Sequence, residues 1–106
     1  MANYVLKLYI TGHSSSSRVA LRNISSICDA NFSGDYDLEV IDILQNPQLA
    51  EDNKIIATPT LVKEQPSPLR KIIGDLSDRE KVLSGLGFVK IKQDTFTNIG
   101  SNPNKG

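Results

Sequence analysis

Apolar positions along the chain recur with two different periods, and the points where one gives way to the other mark out its elements. Tyr4 to Ile10 is β-branched and aromatic, carries one internal charge at Lys7 and ends at Thr11-Gly12, which predicts a strand. Ser14 to Ser17 then offer a helix N-cap. Beyond them Leu21, Ile24 and Cys28, flanked by Ala20 and Ile27, return at three- and four-residue intervals, the spacing of an amphipathic helix with Arg18, Arg22 and Asp29 toward solvent. Asn31 to Gly34 closes that helix, and Leu38 to Leu44 follows as a mostly apolar strand. Strand, helix and strand within about 40 residues make a βαβ unit.

The second half opens at Asn46-Pro47, with the Asn46 side chain as cap and Pro47 at the first helical position, where a missing N–H costs nothing. A short helix is expected to about Asn53. Ile55 to Val62 reads as a strand interrupted by Pro59, which a central strand accepts only at its start or in a special peptide geometry. Lys63 to Pro68 turns the chain, and Leu69 to Ile73 returns as the partner of a hairpin. Ser77-Asp78-Arg79-Glu80 has the form of a capping box opening a helix with Leu76, Val82, Leu83 and Leu86. Gly85 and Gly87 weaken that helix by about 1 kcal/mol each relative to alanine. Phe88 to Lys92 then alternates with a period of two, so the C-terminal third is balanced between helix and strand. From Gln93 onward the chain is polar and aperiodic, a disordered tail. The expected organisation is one domain over 1–92 followed by the tail over 93–106.

Composition narrows the functions open to such a domain. With 106 residues the chain can bury one core. Twelve basic residues against twelve acidic ones leave no net charge, and so none of the basic excess that draws proteins to nucleic acid or anionic membranes. No apolar run approaches the roughly 18 residues of a membrane span. The single cysteine cannot make an internal disulfide or a multi-cysteine metal site. A cytoplasmic protein with no metal or cofactor is the expectation.

The order βαβα, hairpin, helix is that of a thioredoxin-like α/β domain. In redox members of that fold the loop after the first strand carries two cysteines at a helix N-terminus, where dipole and free N–H groups lower the thiol pKa. Here that loop is Gly12-His13-Ser14-Ser15-Ser16-Ser17, and a hydroxyl cannot cycle through a disulfide. Cys28, mid-helix on the apolar side, reads as a small buried hydrophobe. His13 beside four serines invites a hydrolase or anion-site reading, but adjacency supplies no oriented base, and helix capping accounts for the serines. Asp35, Asp37, Glu39 and Asp42 read as a solvated strand edge, with Asp37 and Glu39 on one face.

The segments Tyr4 to Tyr9, Val40 to Asp42, Asn46 to Glu51, Ala57 to Leu61, Arg70 to Ser77 and Arg79 to Leu83, in one collinear order, resemble the KaiB family of circadian clock proteins over roughly residues 4–86. The resemblance implies a non-enzymatic adaptor that docks on the ring of a KaiC-type ATPase and regulates its phosphorylation and ATPase cycle, in circadian timing or in a related stress or signalling role. It also implies two packings: a homo-oligomeric ground state, dimer or tetramer, that rearranges the C-terminal half, and a thioredoxin-like monomer competent to bind. Two packings a few kcal/mol apart suit a C-terminal third that is locally undecided. By resemblance the docking surface comprises Gln48, Glu51, Lys54, Ala57, Pro59 and Arg70, while Gly85 and Gly87 belong to the switching region.

Three departures from the family pattern stand out. Family members tend to carry Gly-Leu-Asp where this chain has Gly85-Leu86-Gly87, and clock-type relatives place a small apolar residue and a lysine where this chain has Asp37 and Glu39. The second change falls on the edge implied to bind KaiA and histidine kinases, and opposes an acidic partner there. The acidic C-terminal tail common in the family is also replaced. Rival readings are a thioredoxin-fold enzyme, or a kinase sensor domain, lacking the Cys-x-x-Cys motif.

Overall fold

The computed structural model describes residues 2–87. Seven elements follow one another: β1 (Tyr4–Ile10), α1 (Ser15–Asn31), β2 (Tyr36–Asp42), α2 (Pro47–Asp52), β3 (Thr60–Gln65), β4 (Arg70–Ile73) and α3 (Arg79–Gly85). The strands form one sheet in the order β2-β1-β3-β4. β1 runs parallel to β2, with Lys7 opposite Glu39 and Val5 opposite Asp37. The β1–β3 and β3–β4 pairs are antiparallel, so the thioredoxin-like order expected for the chain is the one it adopts.

Side chains alternate across a strand, and that alternation divides β1 between two cores. Leu6 and Leu8 enter the larger core with Ala20, Ile24, Ile27 and Cys28 of α1, Leu61, Ile72, and Val82 of α3. Tyr9 points the other way, into a smaller cluster with Ile41 and Val62, covered by Ile43 and Ile55 on either side of α2. The rings of Tyr4 and Phe32 close the far end of the larger core at a centroid separation of 4.2 Å. α1 sits over its strands because its buried positions, Ser17, Ala20, Ile24, Ile27 and Cys28, fall on one stripe.

Several boundaries differ from the sequence expectation, each for a local reason. Leu21 lies outside the stripe and is exposed. β2 begins at Tyr36, two residues early, because Asp35 is anchored by Asn3, whose backbone N–H and side-chain amide donate to its carboxylate at 3.2 and 2.9 Å. β3 begins at Thr60, after Pro59 and not through it, since a proline cannot donate to the ladder; the Thr58–Pro59 peptide is cis. Lys63 to Gln65, expected in the turn, extend that strand. The Asn46 side chain caps nothing in α2: its amide donates instead to the Asp42 carbonyl. α3 is capped by Asp78, whose carboxylate accepts from Lys81 N–H at 3.2 Å, and not by Ser77. Phe88 to Lys92, balanced between helix and strand in the sequence, and the tail expected over 93–106 lie outside the described residues.

One buried charge stands out. Lys63 is only 2% exposed, on the same face as Leu6 and Leu61, and its Nζ lies 3.8 Å from where a Cβ on Gly87 would stand. Burial, reinforced by the Arg70 charge, lowers its pKa below 10.5. The unfolded chain keeps the ordinary value, so the charged form costs stability at neutral pH, and that cost fades as pH rises through the lowered value toward 10.5. Lys63→Met is therefore expected to unfold at higher denaturant concentration than the parent near neutral pH, with the gap narrowing in alkali; a variant no more stable at neutral pH contradicts the assignment.

Candidate protein-binding face

The loop after β1, where a redox relative of this fold keeps its thiols, is an array of caps. Ser14 accepts from Ser17 N–H at 3.2 Å and donates to Ser17 Oγ at 2.8 Å, and the buried Ser17 Oγ accepts from Thr11 N–H at 3.3 Å. Asp42 accepts from the N–H groups of Gly12 and Leu44, at 3.0 Å each, stapling this loop to the end of β2. Thr11 and Thr58 share a hydroxyl hydrogen bond across the same end of the sheet. His13 is exposed and takes no part in this network. The serines thus serve the helix start, as their spacing suggested, and no oriented nucleophile and base emerge. Among the described residues no group of three or more His, Cys, Asp or Glu side chains is placed to hold a metal.

Cys28 is fully buried against the sheet, and desolvation, with a smaller contribution from Asp29, pushes its thiol up to about 11.

The surface-bearing segment is the one between β2 and β3. α2 is a six-residue helix started by Pro47, and it exposes Gln48 and Glu51 one turn apart; Gln48 Nε2 donates to Asp52 Oδ1 at 2.8 Å. The helix ends by turning through Lys54, whose φ of +56° is unusual for a side chain with a Cβ. Ile55 then folds inward, its N–H bonded to the Ala50 carbonyl at 2.9 Å. The next residue is thrown outward: Ile56 is 88% exposed, and Ala57 beside it is exposed too.

Gln48, Glu51, Lys54 and Ala57 therefore share one continuous stretch of surface chain. Pro59 is buried and acts from beneath, its carbonyl accepting from Gly74 N–H at 2.9 Å. Arg70 is exposed on β4, but the β4 residue tied to this loop is Lys71, whose Nζ donates to the carbonyls of Asn53 at 2.6 Å and Lys54 at 3.4 Å. Sequence reasoning missed Lys71 and Ile56. Lys71 announces itself only through the β3–β4 register, whereas Ile56 could have been found as one of two adjacent isoleucines, of which a surface loop can bury only one. Leu44, Leu49 and Ile56 are three of the seven large hydrophobics that the described residues leave exposed.

Asp37 and Glu39 are both exposed on β2, at one edge of the sheet. Lys7, opposite Glu39 in the ladder, is drawn instead to Glu64 on β3, 3.3 Å away. Gly85 is packed so closely on Ile72 that a Cβ there would stand 2.6 Å from Ile72 Cδ1, and Gly87 takes a φ of +83° just beyond α3.

These features define a class: a thioredoxin-like domain with capping serines in place of the dithiol. Solved structures agree on the fold. The N-terminal domain of Synechococcus elongatus SasA superposes with a TM-score of 0.68 at 24% identity, over 85% of this chain and 89% of that one. Mitochondrial thioredoxin 3 of Saccharomyces cerevisiae gives 0.67 at 17% identity, over 84% and 81%. The particular family follows from sequence: residues 7–88 match the KaiB domain model, and the chain belongs to the KaiB family. It is 63% identical to the circadian clock oscillator protein KaiB of a Picosynechococcus species over 86 residues, 81% of this chain and 83% of that one. It is 61% identical to KaiB1 of a Synechocystis species over 81% and 82%. Among the described residues no helix is long and apolar enough to cross a membrane.

The packing of Cys28 has a direct consequence. Near pH 8, Ellman's reagent should label the native chain only as fast as it unfolds, and one thiol per chain immediately in denaturant; fast labelling of the native protein would place the thiol at the surface.

Proposed function

We propose that this protein is a clock-type adaptor, acting in the cytoplasm, that docks on the ring of a KaiC-type ATPase through α2 and the loop to Pro59 and modulates the ring's phosphorylation and ATPase cycle. The observation that carries the reading is the stretch 48–57, which presents an outward isoleucine among Gln48, Glu51, Lys54 and Ala57 and is clamped from β4 by Lys71. An exposed aliphatic side chain inside a polar rim matches the apolar-centre, polar-rim composition of protein interfaces. The clock role named for its 61–63% identical relatives supports the same reading.

Gly87 bears on how much of the chain is competent to bind. Its positive φ completes the end of α3, with its N–H bonded to the Ser84 carbonyl at 3.0 Å. An aspartate there would oppose the thioredoxin-like packing by about 1 kcal/mol. By exchanging the family's aspartate for glycine, the chain shifts the balance toward the packing described here and away from a resting homo-oligomer. Asp37 and Glu39 make the exposed β2 edge acidic, which opposes an acidic partner at the edge where the resemblance implies that proteins of the KaiA or histidine-kinase type pair.

Co-purification with the host's KaiC-type ATPase in ATP tests the reading. The parent is expected to be retained on the ring. Lys54→Glu should weaken retention by about tenfold or more, and Gly87→Asp by about fivefold, through the loss of competent monomer and with a larger oligomer on size exclusion. Retention indifferent to Lys54→Glu would remove the proposed face.

A further inference from the structure

The opposite edge of the sheet from Asp37 and Glu39 has its own chemistry. β4 ends the strand order, so among the described residues one side of its backbone is unpaired. Between it and α3 lies a groove of about 550 Å³ whose charged lining residues are all cationic, Arg70, Lys71 and Lys81, over a floor of Ile72, Ile73 and Gly85. Lys71 is committed to the carbonyls of Asn53 and Lys54. Arg70 and Lys81 have no acidic partner within ion-pair distance among the described residues. Leu69, just before the strand, and Ile73, its last residue, are 58% and 52% exposed.

An exposed strand edge is a template for another strand, and chains usually blunt it with charge, a bulge or a proline. β4 has neither a bulge nor a proline within Arg70–Ile73, only cations, and cations repel a second copy of this same edge while attracting an acidic one. Gly85 lets α3 approach β4 closely at the floor of the groove, since any side chain at that position would have to displace the end of Ile72.

We propose that the β4 edge and the adjoining groove receive an extended acidic segment of a partner protein, which pairs with β4 as a fifth strand. Backbone hydrogen bonds supply the pairing, Leu69 and Ile73 the apolar contact, and Arg70 and Lys81 the selection for carboxylates. This surface adjoins the face formed by α2 and its loop, sharing Arg70 with the docking surface that the resemblance implies and Lys71 with the clamp on that loop, but the unpaired edge of β4 and Lys81 lie outside residues 46–59.

A blocked, fluorescent heptapeptide alternating valine and glutamate tests it, by anisotropy and by amide shifts of the labelled full chain. The expected result is saturable binding that shifts the amides of Arg70 to Ile73. Lys81→Glu is expected to weaken it by about tenfold or more, with comparable loss on N-methylating alternate peptide bonds, whereas Lys54→Glu leaves it unchanged. Equal binding of the lysine-substituted peptide, binding that survives N-methylation, shifts mapping to Tyr36–Asp42, or no saturation at millimolar peptide would each overturn the proposal. Because Lys81 and Lys54 are read separately, loss of this site and loss of the ATPase-docking face give different patterns.

Discussion

The placement of β1 between β2 and β3 is the constraint on which the rest of the molecule depends. Hydrogen-bonded on both sides, it satisfies its backbone within the sheet, and alternation sends Leu6 and Leu8 under α1 and α3 while Tyr9 faces the other way. A one-residue slip would exchange those faces and bury Lys7 in the larger core. With the register held, the end of β1 delivers Thr11 and Gly12 to the caps of α1 and to Asp42, and the end of β3 delivers Pro59 and Thr60 to the base of the exposed loop. The surface that carries Gln48 to Ala57 is thus fixed by the strand pairing beneath it.

The same arrangement leaves two free edges of opposite charge. Asp37 and Glu39 mark the β2 edge, while Arg70, Lys71 and Lys81 surround the β4 edge. A net charge of zero over the whole chain therefore conceals a sheet that is acidic along one side and basic along the other. Such polarity allows each edge to discriminate among partners by repulsion as well as attraction. It also discourages like edges from pairing between copies.

The periodic parts of the fold were legible in the sequence because each is dictated by short-range pattern. β1, α1 and the β3–β4 hairpin follow from spacing and from where Gly12, Gly34 and the proline cluster fall. What escaped the pattern was decided by distant partners. Asp78 displaced Ser77 as the cap of α3, and Asn46 turned back to Asp42 instead of forward into α2. Lys63 offered no sign of burial, since a lysine near a predicted turn is ordinarily exposed. At the proposed binding face, Gln48, Glu51, Lys54 and Ala57 were accessible through resemblance, yet the outward turn of Ile56 and the clamp of Lys71 needed the chain folded, because both sit on a turn whose path no local pattern announces.

In the proposed function a stretch of chain between β2 and β3, and not the β2 edge, meets the ATPase ring. Amide hydrogen exchange of the full chain, alone and bound to the host's KaiC-type ATPase in ATP, addresses it residue by residue. The account predicts new protection concentrated over residues 46–59, with the amides of Tyr36–Asp42 exchanging as they do in the free chain. Protection along Tyr36–Asp42 with none over 46–59 would contradict it.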